Sequence, residues 1–286
     1  MINIGIMKLK MTIALKLALG LLAFLVLGFL LFLFLMQRAL IYPGAYNNKI
    51  DLSKNNLLRL EKIELSAPDD TPIMLYRLGM DRENPKALLL FHGNADTAVN
   101  IINRLYNPYV LYHGYDIYAM EYRGFDGSSA TPSEDGILMD SKVVLEYLKS
   151  LERYGTIVYY GHSLGTAVAI NLAKEAVPSA LVLEAPFSSL AETAHHYYPL
   201  LPVPLIKLLL HDRYDSMQQL QELEIPNVMI LHARDDQVVP FEQGASLFAQ
   251  ISSPNKIFAD YDMGGHSDIF FINDYKRLRD FLLSVE

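Results

Sequence analysis

Short apolar runs that alternate with segments of helical spacing constrain this chain more than any other feature. Glu61–Ala67 and Ile73–Leu78 flank Pro68-Asp69-Asp70-Thr71-Pro72, which predicts two strands joined by a turn. Ala87–Phe91 is continuously apolar, as a strand covered on both faces must be. Strands are then expected at Asp116–Glu121, Thr156–Tyr160, Ala180–Glu184, Val228–His232 and Lys256–Tyr261. Helical spacing marks Ala98–Tyr112, Glu134–Leu151 with Ser133 as N-cap, Leu164–Ala176, Phe241–Ile251 and a closing helix Ile269–Val285. This order predicts an α/β fold: a mostly parallel sheet of about eight strands with helices on both faces. Residues 187–226 break the alternation with Tyr197-Tyr198-Pro199, Pro202 and Pro204, and predict a small cap.

The amino-terminal end obeys different rules. Leu17–Met36 runs twenty residues without a charge, and as a helix it spans about 30 Å, the thickness of a bilayer's hydrocarbon core. It exceeds the ~7–15 apolar residues of a cleavable signal and no Ala-x-Ala follows it, so it predicts an anchor. Residues 1–37 are expected to be tail and anchor, 38–60 a polar juxtamembrane connection, and 61–286 the folded domain. Lys8, Lys10 and Lys16 precede the span; Arg38 and Lys49 follow it. The positive-inside bias then predicts a cytosolic amino terminus and a domain on the extracytosolic side, periplasmic or lumenal.

Charge and composition remove several functions. Residues 1–40 hold four basic and no acidic side chains, which leaves 20 basic against 32 acidic beyond them, a net −12. Nucleic-acid binding draws its affinity from Lys and Arg at phosphates, so no nucleic-acid partner is expected. With no cysteine, a thiol nucleophile, a Cys-ligated metal and a disulfide framework are excluded. Oligomeric state stays open.

Between the strand Thr156–Tyr160 and the helix Leu164–Ala176 lies Gly161-His162-Ser163-Leu164-Gly165. A G-x-S-x-G run between strand and helix is a nucleophile elbow, which presents its serine on a strained turn at the helix N-terminus. Ser163 is therefore the expected nucleophile, and the Leu164 N–H an expected oxyanion donor. The chain order serine, acid, histidine points downstream. Asp235-Asp236 follows one strand and Gly264-Gly265-His266 the next, at the carboxyl ends where open sheets place their sites. His266 is the histidine left in that order, and Asp236 is favoured over Asp235, a turn former. The loop Phe91-His92-Gly93-Asn94-Ala95 supplies the Asn94 N–H as the second oxyanion donor. This chemistry needs no metal and no organic cofactor.

These segments, with Tyr122-Arg123-Gly124-Phe125, Pro132-Ser133-Glu134-Asp135-Gly136, Leu183-Glu184-Ala185-Pro186-Phe187, His232–Pro240 and Gly265-His266, resemble the Bem46-like α/β hydrolases from about residue 60 to the end. The resemblance implies an α/β-hydrolase fold and a Ser–Asp–His triad acting on esters, thioesters or amides. It supports Asp236 as the acid, three residues after Ala233, and a single amino-terminal membrane helix fits relatives of this kind. The chain departs from the pattern at Asp126 and Ala130, where such relatives carry glycine, and this bears on the pocket's shape and the substrate.

The expected activity is a serine hydrolase of carboxylic esters or thioesters, acting on a lipid or other acylated small molecule through an acyl-enzyme on Ser163. The apolar residues of the cap, His195–Pro202 and Leu205–Leu210, are expected to form an underside for an acyl chain, to seal the cap to the core, or to rest on the bilayer interface. A serine peptidase or amidase on the same triad is the alternative, and a non-catalytic membrane-tethered scaffold a third reading.

Overall fold

Apolar β-branched and aromatic residues dominate the strands because they fit a pleated surface covered on both sides. The computed structural model describes residues 2–47, 60–79, 85–105, 114–126, 128, 130–272 and 275–285. Eight strands are present: β1 Leu60–Ser66, β2 Pro72–Leu78, β3 Lys86–Phe91, β4 Tyr115–Met120, β5 Ile157–His162, β6 Ala180–Glu184, β7 Asn227–Ala233 and β8 Asn255–Tyr261. They form one sheet in the order β1-β2-β4-β3-β5-β6-β7-β8. The β1–β2 and β2–β4 pairs are antiparallel and the five others parallel. Every residue of β4 and β6 is buried. At ~1.5–3 kcal/mol per buried Val, Leu, Ile or Phe, this central layer is the main source of stability.

The helices are α1 Ile2–Ile41, α2 Gly44–Asn47, α3 Ala98–Leu105, α4 Glu134–Ser150, α5 Leu164–Glu175, α6 Leu190–Tyr197, α7 Val203–Leu209, α8 Ser216–Gln221, α9 Phe241–Gln250, α10 Ile269–Ile272 and α11 Lys276–Ser284. Ser133 caps α4 by accepting the Gly136 N–H at 3.2 Å. Within α1, Lys10–Ile41 reaches a mean hydropathy of 2.9, long and apolar enough to cross a membrane. The chain divides into two compact units, Met1–Ile41 and Tyr42–Glu286.

Three segments differ from the expectations. The helix expected over Ala98–Tyr112 is seen as Ala98–Leu105, and 106–113 lie outside the described residues. The single closing helix is instead two, α10 and α11. Phe270 and Tyr275 stack at 4.6 Å, and the Tyr275 hydroxyl donates to the Arg104 carbonyl at 2.6 Å, which anchors the chain where α11 begins. The juxtamembrane connection is structured at its start. Tyr42 is fully buried, its hydroxyl donating to Asp212 Oδ2 at 2.8 Å and lying 3.0 Å from the Tyr214 hydroxyl. Gly44 N–H donates to the Asn94 carbonyl at 3.0 Å. The rest of that connection, 48–59, lies outside the described residues.

Residues 187–226 carry α6, α7 and α8, joined by the prolines that interrupt the alternation. Not all their apolar side chains turn inward. Ile206 is buried, but Leu200 is 95% and Leu208 78% exposed. A cavity of about 370 Å³ between these helices and α9 is lined by residues that include Glu192, Lys207, Asp215, Met217 and Gln243.

Candidate active site

The β5–α5 crossing forces its residue types. A Cβ on Gly165 would stand 2.0 Å from the Phe91 carbonyl oxygen, and one on Gly161 2.3 Å from the Gly165 carbonyl oxygen. Both contacts are with backbone, so neither position admits a side chain. Between them Ser163 adopts φ 52° and ψ −118°, a conformation that costs a non-glycine residue about 1–3 kcal/mol. Its N–H donates to the Glu184 carbonyl at 2.9 Å, and its carbonyl accepts from Thr166 Oγ1 at 2.6 Å, so both neighbouring segments hold the turn.

Asp236 follows β7 and His266 follows β8. Their contact is direct, with His266 Nδ1 at 2.8 Å from Asp236 Oδ2. The other oxygen, Oδ1, accepts the Val238 and Val239 N–H groups at 2.8 and 2.9 Å. Burial works against the Asp236 charge, but His232, His266 and the backbone donors outweigh it and hold the carboxyl well below the usual carboxylate range. Asp235 has a different place: its Oδ1 accepts the Gly265 N–H at 2.8 Å and pins the loop rather than the ring. Gly265 has φ 51° and Gly264 φ 149°, which side chains rarely adopt.

The serine and the imidazole approach through a neighbour. His162 Nε2 lies 2.9 Å from the His266 carbonyl oxygen, and the two rings are 5.1 Å apart. Among the described residues the Ser163 hydroxyl makes no hydrogen bond, to His266 or to any other group. His162 itself is deeply buried. Desolvation, then the charge of Arg104, push its pKa well below the ordinary value, so it stays neutral.

The loop after β3 borders Ser163. A Cβ on Gly93 would stand 3.1 Å from His162 Nδ1 and 3.6 Å from Ser163 Cβ, so glycine keeps this space open. Neither the Leu164 N–H nor the Asn94 N–H donates to another described residue. The Asn94 peptide is held on its carbonyl side by Gly44. His92 is buried beneath, 3.1 Å from Glu121 Oε1 and stacked on Tyr122 at 3.9 Å. Burial disfavours its charge, but Glu121 outweighs this and raises the pKa.

Sequence reasoning missed several supports. His232, read as part of a strand, places Nε2 3.3 Å from Asp236 Oδ2, so that carboxylate has two imidazole neighbours. Arg104 Nη1 donates to the fully buried Glu184 Oε1 at 2.9 Å, while Tyr160 donates to Oε2 at 2.5 Å. A buried Arg–Glu pair whose members lie 80 residues apart has no short sequence signature; Glu184 inside an otherwise apolar strand was its one visible sign. The loop that departs from the resemblance explains the departure's cost: Asp126 sits at φ 51°, where glycine is at ease. Among the described residues no group of three or more His, Cys, Asp and Glu side chains is placed to hold a metal.

Comparison with known proteins identifies the fold and the family. The alpha/beta hydrolase fold family matches residues 86–205. Protein bem46 of Schizosaccharomyces pombe is 30% identical over 265 residues, covering 88% of this chain and 87% of that protein. The rat lysophosphatidylserine lipase ABHD12 is 31% identical over 214 residues, 67% of this chain but 52% of the lipase, so the match spans about half the length of that relative. Among solved structures, a Pyrococcus furiosus esterase superposes with a TM-score of 0.66 at 19% identity, covering 82% of this chain and 94% of the esterase, a likeness of fold. The chain belongs to the Bem46-like α/β hydrolases.

Proposed function

We propose that the protein is a serine hydrolase of carboxylic esters or thioesters whose acyl groups come from lipids or other acylated molecules. Ser163 Oγ attacks the acyl carbonyl carbon while His266 Nε2 takes its proton. Asp236 keeps the ring proton on Nδ1 and stabilises the imidazolium. The Leu164 and Asn94 N–H groups, neither of which donates to another described residue, receive the developing oxyanion. The tetrahedral adduct expels an alcohol or thiol, which leaves with the proton from His266. Water, deprotonated by the same imidazole, then releases the acid and restores Ser163.

The observation that carries the reading is the 2.8 Å bond between Asp236 and His266, in a loop whose backbone also meets the neighbour of the strained Ser163. The reading requires a Ser163–His266 hydrogen bond in the loaded enzyme, and catalytic hydrogen bonds of this kind tighten when substrate binds. A lipid substrate class is supported by the lipase among the relatives and by the apolar amino-terminal helix. That helix serves as a single-pass anchor, with the amino terminus cytosolic and the hydrolase domain, residues 61–286 with a cap over 187–226, on the extracytosolic side. The proposed chemistry calls for no cofactor.

Ser163→Ala tests the mechanism. It is expected to abolish p-nitrophenyl ester hydrolysis and fluorophosphonate labelling while leaving the unfolding temperature near that of the wild type. Hydrolysis at the wild-type rate would refute the assignment of Ser163.

A further inference from the structure

The cap presents apolar side chains to solvent in a domain whose remaining surface is acidic. Tyr197 is 51% exposed, Tyr198 39%, Leu200 95% and Leu208 78%. From 193 to 211 the sequence holds no acidic residue, while Lys207 and three histidines lie within it. Elsewhere beyond residue 40 the chain is strongly acidic, with 19 basic against 32 acidic side chains.

The covalent path says what this surface meets. The uncharged run ends at Met36 and the helix at Ile41. At ~1.5 Å per residue Ile41 stands about 7.5 Å beyond the run, which is the depth of the headgroup layer. Tyr42 follows by one peptide bond and is buried in the folded domain against Asp212 and Tyr214. Those two residues come shortly after α7, which ends at Leu209. Chain continuity therefore keeps Tyr42, which Asp212 and Tyr214 hold, six residues past the end of the uncharged run.

We propose that the α6–α7 tip, through Tyr197, Tyr198, Leu200 and Leu208, inserts into the interfacial layer of the membrane that holds the amino-terminal helix. The occupant of this face is the lipid surface itself. Leucines there reach the acyl boundary, and tyrosines suit the headgroup level. The Tyr197 hydroxyl also donates to the Val238 carbonyl at 2.8 Å, two residues from Asp236, so the inserted tip adjoins the candidate active site. The inference rests on the anchor reading given above.

The chain has no tryptophan, so single-tryptophan variants report without interference. Full-length Leu200→Trp, Leu208→Trp, Leu27→Trp and Val177→Trp proteins are reconstituted into phosphatidylcholine vesicles doped with brominated phosphatidylcholine. Leu27 lies in the apolar helix, and Val177 lies at the amino edge of the parallel strands, away from the site. The expected result is a blue-shifted, bromine-quenched emission for positions 200, 208 and 27, and a water-like, unquenched one for 177. Unquenched emission at both 200 and 208, with position 27 still quenched, overturns the proposal and leaves the anchor standing. Loss of quenching at 27 as well overturns the anchor reading together with it.

Discussion

Replacing Asp236 by Asn separates the charge of that side chain from its scaffold role. Its Oδ1 accepts the Val238 and Val239 N–H groups, and an amide oxygen at the same place accepts both. Its Oδ2 lies 2.8 Å from His266 Nδ1 and 3.3 Å from His232 Nε2, and there the amide presents N–H instead. Facing a donor, His266 must offer a bare Nδ1, which moves the ring proton to Nε2. A protonated Nε2 cannot take the proton of Ser163. The loss of this arrangement is expected to lower kcat by about 10³–10⁴-fold, or about 4–5.5 kcal/mol at ~1.36 kcal/mol per tenfold. The folded state forfeits charge-assisted bonds worth about 1.5–3 kcal/mol each at most, so the protein remains folded at 25 °C with a lower unfolding temperature. Asp235→Asn is the control, since its amide oxygen still accepts the Gly265 N–H. Both variants are assayed for p-nitrophenyl butyrate hydrolysis and fluorophosphonate labelling, with folding checked by circular dichroism. Asp236→Asn activity within about tenfold of the wild type, or an equal loss in Asp235→Asn, would refute the tautomer argument.

Gly165→Ala forces a Cβ to 2.0 Å from the Phe91 carbonyl oxygen, while Gly155→Ala meets nothing within 4 Å; the first is expected to lose about 1–3 kcal/mol or more and the second to stay neutral in thermal unfolding. Similar melting temperatures for both would contradict the packing argument. Tyr42→Phe leaves Asp212 and Tyr214 short of a buried partner, so the detergent-solubilised full chain is expected to lose about 1–3 kcal/mol; an unchanged melting temperature would deny the docking of Tyr42. His92 has a folded pKa raised by Glu121, so its contribution to stability is complete below about pH 6.5 and is lost as pH rises through the folded value. The wild type should therefore lose melting temperature relative to Glu121→Gln as pH rises above about 6.5, and parallel curves would rule this coupling out.

The sheet was legible because its strands carry their own signal. Ala87–Phe91 and Ala180–Leu183 are apolar throughout, and the structure buries them. The serine turn was legible because Gly161 and Gly165 are sterically obligatory and lie between a strand and a helix. What the sequence hid depends on distance along the chain. Tyr42 meets Asp212 across 170 residues, and Tyr-Pro-Gly reads locally as nothing more than a turn. His232 meets Asp236 only because β7 ends between them. The cap's apolar residues look alike in one dimension, so Ile206, buried, and Leu208, exposed, could not be told apart before α7 was seen to have two faces.

The loop of His266 is tied by Asp235, by Asp236 and, across 104 residues, by His162. No earlier part of the chain can stand in for it. During synthesis the segment bearing Ser163 emerges and can fold long before residue 266 leaves the ribosome. On the proposed chemistry the nascent protein is therefore inert toward the bilayer beside it until its final strand has been added, and a truncated product released before that point would carry a serine turn with no hydrolytic power.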